Sequence, residues 1–145
     1  MDIPSPLPGL VLRYAYLWAD EHDSGREGVA KDRPVTIVLS QILRDGKTSV
    51  LVLPVTHSPP LDPAQAMEIP QETKRRLGLD ADRSWILLTE TNLFAWPGPD
   101  LRPVPGKTPK TVAYGHLPAG FFRAVRDRLL ALHSASGIRQ VPRTQ

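Results

Sequence analysis

An arginine and a threonine at the ends of two apolar segments are the residues of this chain best suited to chemistry. Arg33 precedes Pro34 and the apolar run 35–39, and Thr56 ends the apolar run 50–55. Two β-branched segments joined by a tight turn are typical of paired strands, which would bring these ends together. A guanidinium offers a planar fork of donors to phosphate oxygens, and a hydroxyl adds another donor. The pair therefore suits a reaction at a phosphate ester, such as cleavage of RNA without a metal.

Such cleavage also needs a base for the 2′-hydroxyl proton and an acid for the leaving 5′ oxygen. His57 directly follows Thr56 and can exchange protons near neutral pH, although a solvated loop histidine would look the same. Glu27 and Glu90 are further candidates, as bases or as orienting carboxylates. Glu90 ends an apolar segment, where desolvation favours the protonated form, or it faces water. The residues alone leave open which group is base and which is acid.

Polar residues on both sides of these positions are candidates for binding RNA. The segment 19–32 has neither helical nor strand periodicity and carries Arg26 and Lys31. Long polar loops in small domains are often functional, so we expect both cations to contact a nucleic acid. Ser58, two residues after Thr56, is a third candidate.

Composition narrows the possible classes of protein. The chain has 145 residues, 41% hydrophobic and 23% charged, which fits one globular domain spanning 1–145. It has no cysteine, which excludes disulfides, thiolate nucleophiles and cysteine-based zinc sites. The four histidines are too scattered to suggest a metal site, and we expect no cofactor. With no secretory signal and no apolar run of about 18 residues, a cytoplasmic protein without a membrane segment is expected.

Charge is unevenly distributed along the chain. Residues 1–100 hold 10 basic and 14 acidic residues, a net charge of −4, whereas residues 101–145 hold 8 basic residues and one acid, a net charge of +7. A basic end suggests an anionic partner such as RNA or an acidic peptide, but a solvated basic tail has the same composition.

The hydrophobic pattern predicts a mainly β fold with one long helix. Sixteen prolines argue for short strands between rigid loops. The predicted strands are Leu10–Trp18, Pro34–Ile42, Thr48–Val55, Ala66–Ile69, Ser84–Thr91 with an extension over Leu93–Trp96, and Val112–Tyr114. Asp45-Gly46 predicts a type I′ hairpin turn. A strongly curved antiparallel sheet, closed as a barrel, would leave few exposed edges.

Two helices are predicted. The first spans Gln71–Leu77 and ends at Gly78. The second starts at Pro118, fades by Ser134, and carries one apolar stripe: Phe121, Phe122, Val125, Leu129 and Leu132. Residues 134–145 are expected to form a flexible tail.

Taken in order, these segments resemble the PemK/MazF toxins, the endoribonuclease half of type II toxin-antitoxin pairs. The matching pieces are Pro8-Gly9-Leu10-Val11-Leu12, Gly25-Arg26-Glu27, Arg33-Pro34 through Ser40, Leu53-Pro54-Val55-Thr56, Met67-Glu68-Ile69-Pro70, Trp85 to Asn92, and Gly115-His116-Leu117. The resemblance covers nearly the whole chain. Each motif is weak alone, and their order and spacing carry the likeness.

The resemblance implies an SH3-like barrel, usually a homodimer, that binds single-stranded RNA in a groove near the dimer interface. It implies Arg33 and Thr56 as the principal active-site pair, and a cognate antitoxin whose acidic, aromatic-bearing tail fills the same groove. The late strand departs from the family pattern, because Glu90 stands where an aspartate is usual and a neighbouring arginine is missing. Two alternatives follow: a catalytically weak SH3-like module that binds RNA or a peptide, and a gyrase-directed toxin on the same fold.

Overall fold

The computed structural model describes residues 1, 3–18, 31–136 and 139–142. Within these ranges the strands are β1 (Leu10–Tyr16), β2 (Lys31–Ile42), β3 (Thr48–Thr56), β4 (Ala66–Glu68), β5 (Trp85–Leu87), β6 (Glu90–Ala95), β7 (Ala113–His116) and β8 (Arg139–Pro142). The α-helices are α1 (Gln71–Leu77) and α2 (Ala119–Ser136), and a short 3₁₀ turn covers Pro63–Gln65. The predicted fold class, mainly β with a C-terminal helix, is confirmed. None of the described helices is long and apolar enough to cross a membrane.

The strands form one curled sheet in the order β4-β5-β3-β2-β1-β7, with neighbouring strands antiparallel. One edge of β3 has two successive partners. Its residues Ser49–Val52 pair with β6, and its last residues, Val55 and Thr56, pair with β5. Because β5 and β6 lie along one strand at different registers, the sheet bends between them and curls into a barrel-like shape.

Prolines in β2 and β3 lie where pairing is interrupted. Pro54 falls between the last residue paired with β6, Val52, and the first paired with β5, Val55. No ladder donor is needed on that edge, so a proline is tolerated there. On the other edge the pairing of β2 with β3 ends at Val35 and Pro54. Strand β2 nevertheless begins at Lys31, three residues before the predicted start at Pro34, because residues 31–34 still pair with β1.

The hairpin between β2 and β3 differs from the predicted turn. Gly46 has a φ of +83°, but no described residue other than glycine has a positive φ, so Asp45 cannot occupy a type I′ turn. The backbone N–H of Gly46 donates to the carbonyl of Leu43, and the N–H of Leu43 donates to Lys47. The loop is therefore one residue longer than predicted, with glycine in the left-handed position that follows the turn.

The apolar segment 84–91, predicted as one strand, divides into β5 and β6. The break falls at Leu88 and Thr89. Leu88 is fully buried among the residues beneath the helices, and its N–H donates to the carbonyl of Gln65. Periodicity could not reveal this break, because the residue at the bend is as apolar as the strands on either side.

The C-terminal prediction also needs correction. Helix α2 continues to Ser136, and residues 139–142 form β8, which pairs in parallel with β6, where a flexible tail from 134 was predicted. Val141 is buried and packs against Leu17, which explains why this short segment is held.

The sheet is apolar on both faces, and a separate buried cluster packs on each. One buried cluster lies inside the curl: Leu10, Leu12, Tyr14, Tyr16, Val35, Ile37, Val50, Val52, Phe94, Leu101 and Val112. The other lies under the helices: Val11, Leu53, Val55, Ile69, Leu77, Ile86, Leu88, Val104, Tyr114, Leu117 and Val125. The predicted stripe of α2 packs on this second cluster, so the stripe prediction is confirmed.

Candidate active site

Arg33 and Thr56 line one recess open to solvent, which we call the Arg33 recess. Val35 and Pro54 form the last pair between β2 and β3. Arg33 precedes this pair by two residues on β2 and Thr56 follows it by two residues on β3, so both side chains lie on the same face of the sheet as the pair. The recess has a volume of about 450 Å³. Its lining consists of Trp18, Arg33, Thr56, Ser58, Pro59, Pro60 and Leu87. The sequence-based expectation that the guanidinium and the hydroxyl share a recess therefore agrees with the structure.

The Arg33 guanidinium lies over an aromatic ring. Its central carbon is 4.7 Å from the centre of the Trp18 ring, a distance typical of a cation–π contact. Such stacking restricts a long, flexible side chain and leaves the edge of the guanidinium plane for hydrogen bonds. The contact therefore helps to orient Arg33 in the recess before any ligand binds.

The Thr56 hydroxyl is held by the backbone that follows it. Its Oγ1 accepts a hydrogen bond from the N–H of Ser58 at 3.1 Å. Such a bond from a threonine oxygen to the N–H two residues on is a common local turn. Because the oxygen accepts in this bond, its own proton can still be donated, for instance to a phosphate oxygen. The same turn brings Ser58, a predicted RNA-binding residue, into the lining of the recess.

Glu90 contacts a buried tyrosine that the sequence reasoning did not propose as a site residue. The hydroxyl of Tyr16 donates to Glu90 Oε1 at 3.2 Å. Burial above all, followed by the charge of Glu90 and this hydrogen bond, raises the pKa of Tyr16 far beyond its usual range, while the Arg33 charge acts in the opposite direction. Glu90, Tyr16 and Arg33 are thus electrostatic neighbours, although Glu90 is not among the residues lining the Arg33 recess.

Tyr16 and Trp18 share one face of β1 and its extension, the face on which alternate residues point into the curl. Their register explains their place at the site, because Tyr16 pairs with Lys31 and Tyr14 with Arg33. The sequence predicted the strand that contains both residues, Leu10–Trp18, but not its pairing partner, and only that partner places these aromatic side chains beside Arg33.

His57 faces away from Thr56, as expected for consecutive residues at the end of a strand. Its Nε2 lies 2.8 Å from Asp80 Oδ2, and it lines a separate recess of about 460 Å³ that we call the His57 recess. Thr56 does not line this recess, and His57 does not line the Arg33 recess. The structure therefore does not bring His57 together with the Thr56 hydroxyl. Arg33 borders both recesses.

Asp80 is fixed by a buried lysine. Lys74 is only 1% exposed, and its Nζ donates to Asp80 Oδ1 at 2.7 Å, to Ser84 Oγ at 2.6 Å and to the carbonyl of Asp82. Burial raises the pKa of Asp80, but the hydrogen bond and charge of Lys74, together with His57, outweigh it, so its pKa lies below the usual value. This network orients His57 at the edge of its recess.

The same network contains the one group of described side chains close enough to share a metal ion. Ligand atoms of His57, Asp80 and Asp82 lie within 4.8 Å of one another. Lys74 already supplies a positive charge to Asp80. The carboxylate is therefore compensated by the protein itself, and the group needs no cation to be stable.

Three further predicted residues remain to be placed. Lys31 is exposed at the start of β2 and borders the His57 recess, beside the Arg33 recess. Glu27 and Arg26 lie outside the described residues. Among the described candidates for proton transfer, Glu90 accepts a hydrogen bond from Tyr16, whose pKa is also affected by the charge of Arg33.

Comparisons with known proteins add no family assignment. No family model matches the sequence, and no curated protein matches it significantly. The geometry of the Arg33 recess and the resemblance of motif order to the PemK/MazF toxins are therefore the two indications of function.

Proposed function

We propose that this protein is a metal-independent endoribonuclease that cleaves single-stranded RNA, and that it acts as the toxin of a type II toxin-antitoxin pair of the PemK/MazF kind. The observation that carries the proposal is that Arg33 and Thr56 both line one open recess. Charge develops on the phosphoryl oxygens when the 2′-hydroxyl attacks phosphorus, and fixed donors at those oxygens lower the barrier.

In this proposal each residue has a separate task. Arg33, oriented by Trp18, stabilises the charge on the phosphorane. Thr56 donates to a phosphate oxygen while its own oxygen stays bound to Ser58. Glu90, held by Tyr16, accepts the 2′-hydroxyl proton, and Glu27 is the remaining candidate for the acid.

A second candidate function is a binding module that retains RNA without cutting it. The observation that favours it is the position of His57, whose ring is bonded to Asp80 away from Thr56. Without that imidazole, proton transfer at the Arg33 recess depends on glutamates alone. Such a protein would hold a phosphate between Arg33 and Thr56 and release the RNA intact.

The partners of the proposed function follow from the resemblance to the toxin family. They are single-stranded RNA, a second copy of the chain, and an antitoxin with an acidic tail in the same groove, all in the cytoplasm. A cationic recess walled by Trp18, Pro59, Pro60 and Leu87 suits an acidic, aromatic-bearing peptide as well as RNA.

The test is cleavage of single-stranded RNA by purified protein in the presence of a chelator. We expect fragments that end in 2′,3′-cyclic phosphate, and a loss of at least about a hundredfold in rate for Arg33→Ala. Arg44→Ala is the matched control, because Arg44 is an exposed arginine in the β2–β3 hairpin. Equal cutting by both variants would refute the assignment of Arg33, and RNA retention without cleavage by the wild type would favour the binding module.

A further inference from the structure

The His57 recess is rich in positive charge. Its lining contains Arg13, Lys31, Arg33 and Lys74 against two carboxylates, Asp32 and Asp80. Lys74 and Asp80 are bonded to each other and leave little net charge. Arg13 and Lys31 then remain against Asp32, so the potential in the recess favours an anion.

Arg13 is held in place but keeps donors for a ligand. Its Nη1 donates to the Tyr114 hydroxyl at 3.2 Å, and its Nε lies 4.0 Å from Asp32 Oδ2. Asp32 also lies 3.5 Å from Nε of Arg102, so two guanidinium groups share this single carboxylate. A guanidinium carries five N–H donors, and these contacts do not use them all. Arg13 is therefore pre-oriented at the recess without being neutralised.

The two recesses are adjacent, because both are bordered by Arg33. Arg13 pairs with Pro34, the residue after Arg33, on a neighbouring strand about 4.8 Å away. A chain with regularly spaced negative charges could thus contact Thr56 and Arg33 in one recess and Arg13 in the next. A volume of about 460 Å³ gives room for one nucleotide unit.

From this arrangement we propose that the His57 recess is a second phosphodiester-binding subsite, which takes the nucleotide next to the scissile phosphate of the same RNA strand. Arg13 and Lys31 hold its phosphate, and the Tyr114 and Pro105 side chains form the wall on which its sugar and base pack. The inference rests on the proposed ribonuclease function and adds to it a subsite that determines how long a substrate must be.

The test uses DNA oligonucleotides that contain a single ribonucleotide at a site that the wild-type protein cuts. The DNA on either side of this ribonucleotide is lengthened by one nucleotide at a time. For the wild type we expect one particular added nucleotide to raise kcat/KM by about tenfold, as a charge-assisted contact would. Lys31→Ala and Arg13→Gln should each remove most of that increase, so that they lower kcat/KM for the longer substrate more than for the shortest one. The matched controls are Lys47→Ala and Arg44→Ala, two exposed hairpin cations far along the sequence from the recess.

Binding gives a readout that does not depend on catalysis. A fully 2′-O-methylated strand cannot be cleaved, and its affinity can be followed by fluorescence anisotropy at several salt concentrations. Each recess variant should lower the slope of log affinity against log salt by about 0.7, the value for one lost contact to a single strand. Lys31→Ala serves if Arg13→Gln does not fold, since Lys31 is exposed.

Two outcomes would overturn the subsite. One is that the recess variants match their hairpin controls at every substrate length and in the salt slope. The other is that inorganic phosphate binds in an Arg13-dependent manner while substrate length has no effect, which would identify a site for a free anion. Both outcomes differ from failure of the proposed function, in which Arg33→Ala would cut as well as the wild type.

Discussion

At the Arg33 recess, short-range contacts orient the groups that we propose act on RNA, and they do so in the absence of any ligand. Trp18 supports the guanidinium, the Ser58 N–H holds the Thr56 oxygen, and Tyr16 donates to Glu90. Preorganised donors contribute most in a site where little rearrangement is needed during the reaction. The supporting residues should therefore affect catalysis even where they do not touch the substrate.

Tyr16→Phe tests the role of Glu90. The substitution removes the O–H that donates to the carboxylate and keeps the buried ring. A donor to a carboxylate favours its ionised form, so its loss should move the acidic limb of the pH–rate profile to higher pH. The measurement is kcat/KM against pH for both proteins. Tyr114→Phe, which removes the hydroxyl that accepts from Arg13, is the control. The role of Glu90 would be contradicted if the acidic limb shifted equally in both variants, or did not shift in Tyr16→Phe.

The depressed pKa of Asp80 predicts how stability depends on pH. A carboxyl group whose pKa is lower in the folded state stabilises the protein above its unfolded value of about 3.9 and loses that contribution as pH falls through the folded value. The free energy of unfolding should therefore decrease below about pH 4, and less steeply in Asp80→Asn. Thermal melts from pH 6 to pH 2.5 measure this dependence. Asp45→Asn, in the exposed hairpin, is the control, and identical pH dependence of all three proteins would contradict the prediction.

At the scale of the elements, hydrophobic periodicity predicted the strands and the helix whose apolar residues face the core. It did not predict features that depend on which strands pair. The segments of β1, β3 and α2 were correctly identified, because their apolar residues follow the core faces. The break at Leu88 and the pairing of 139–142 with β6 depend on contacts between distant residues. Arg33 and Thr56 were proposed as a pair because each stands at the end of an apolar run in the sequence, whereas Tyr16 could not be identified without the register between β1 and β2.

Asn92 connects two elements that do not pair as strands. Its side chain is fully buried; Oδ1 accepts from the N–H of Leu17, and Nδ2 donates to the carbonyl of Leu17, which ties β6 to the end of β1. Asn92→Ala leaves both backbone groups buried without these partners, and we expect a loss of about 2–4 kcal/mol in the free energy of unfolding. Urea denaturation measures it. Gln41→Ala, which removes an exposed amide from β2, should cost less than about 0.5 kcal/mol, and an equal effect in both variants would show that Asn92 is not a clamp.

On the scale of the whole molecule, the curled sheet leaves one apolar groove beside the last helix. It has a volume of about 360 Å³, and its lining includes Val38, Leu39, Leu51, Leu129 and Leu130. Leu39 and Leu130 are each about half exposed. The homodimer expected from the resemblance requires an apolar face on the surface, and this groove has the composition of one.

The homodimer can be tested by light scattering at micromolar concentration. We expect a mass twice the 16.0 kDa of one chain. Leu130→Glu should shift the equilibrium to the monomer, because it places a charge in the groove. Leu61→Glu is the control, because Leu61 is fully exposed in a loop. A wild-type protein that scatters only as a 16.0 kDa species would exclude the dimer.

A double-mutant cycle of cleavage rates most directly tests the claim that Arg33 and Thr56 act on one phosphate. Single-turnover rates are measured for the wild type, Arg33→Ala, Thr56→Ala and the double variant on one RNA. Groups that act as a unit give strongly non-additive effects. We predict that Thr56→Ala alone slows cleavage by at least about thirtyfold relative to the wild type. Added to Arg33→Ala, the same substitution should slow cleavage by less than about threefold more. Cleavage that is unchanged in either single variant, or losses that simply multiply in the double variant, would contradict the shared site.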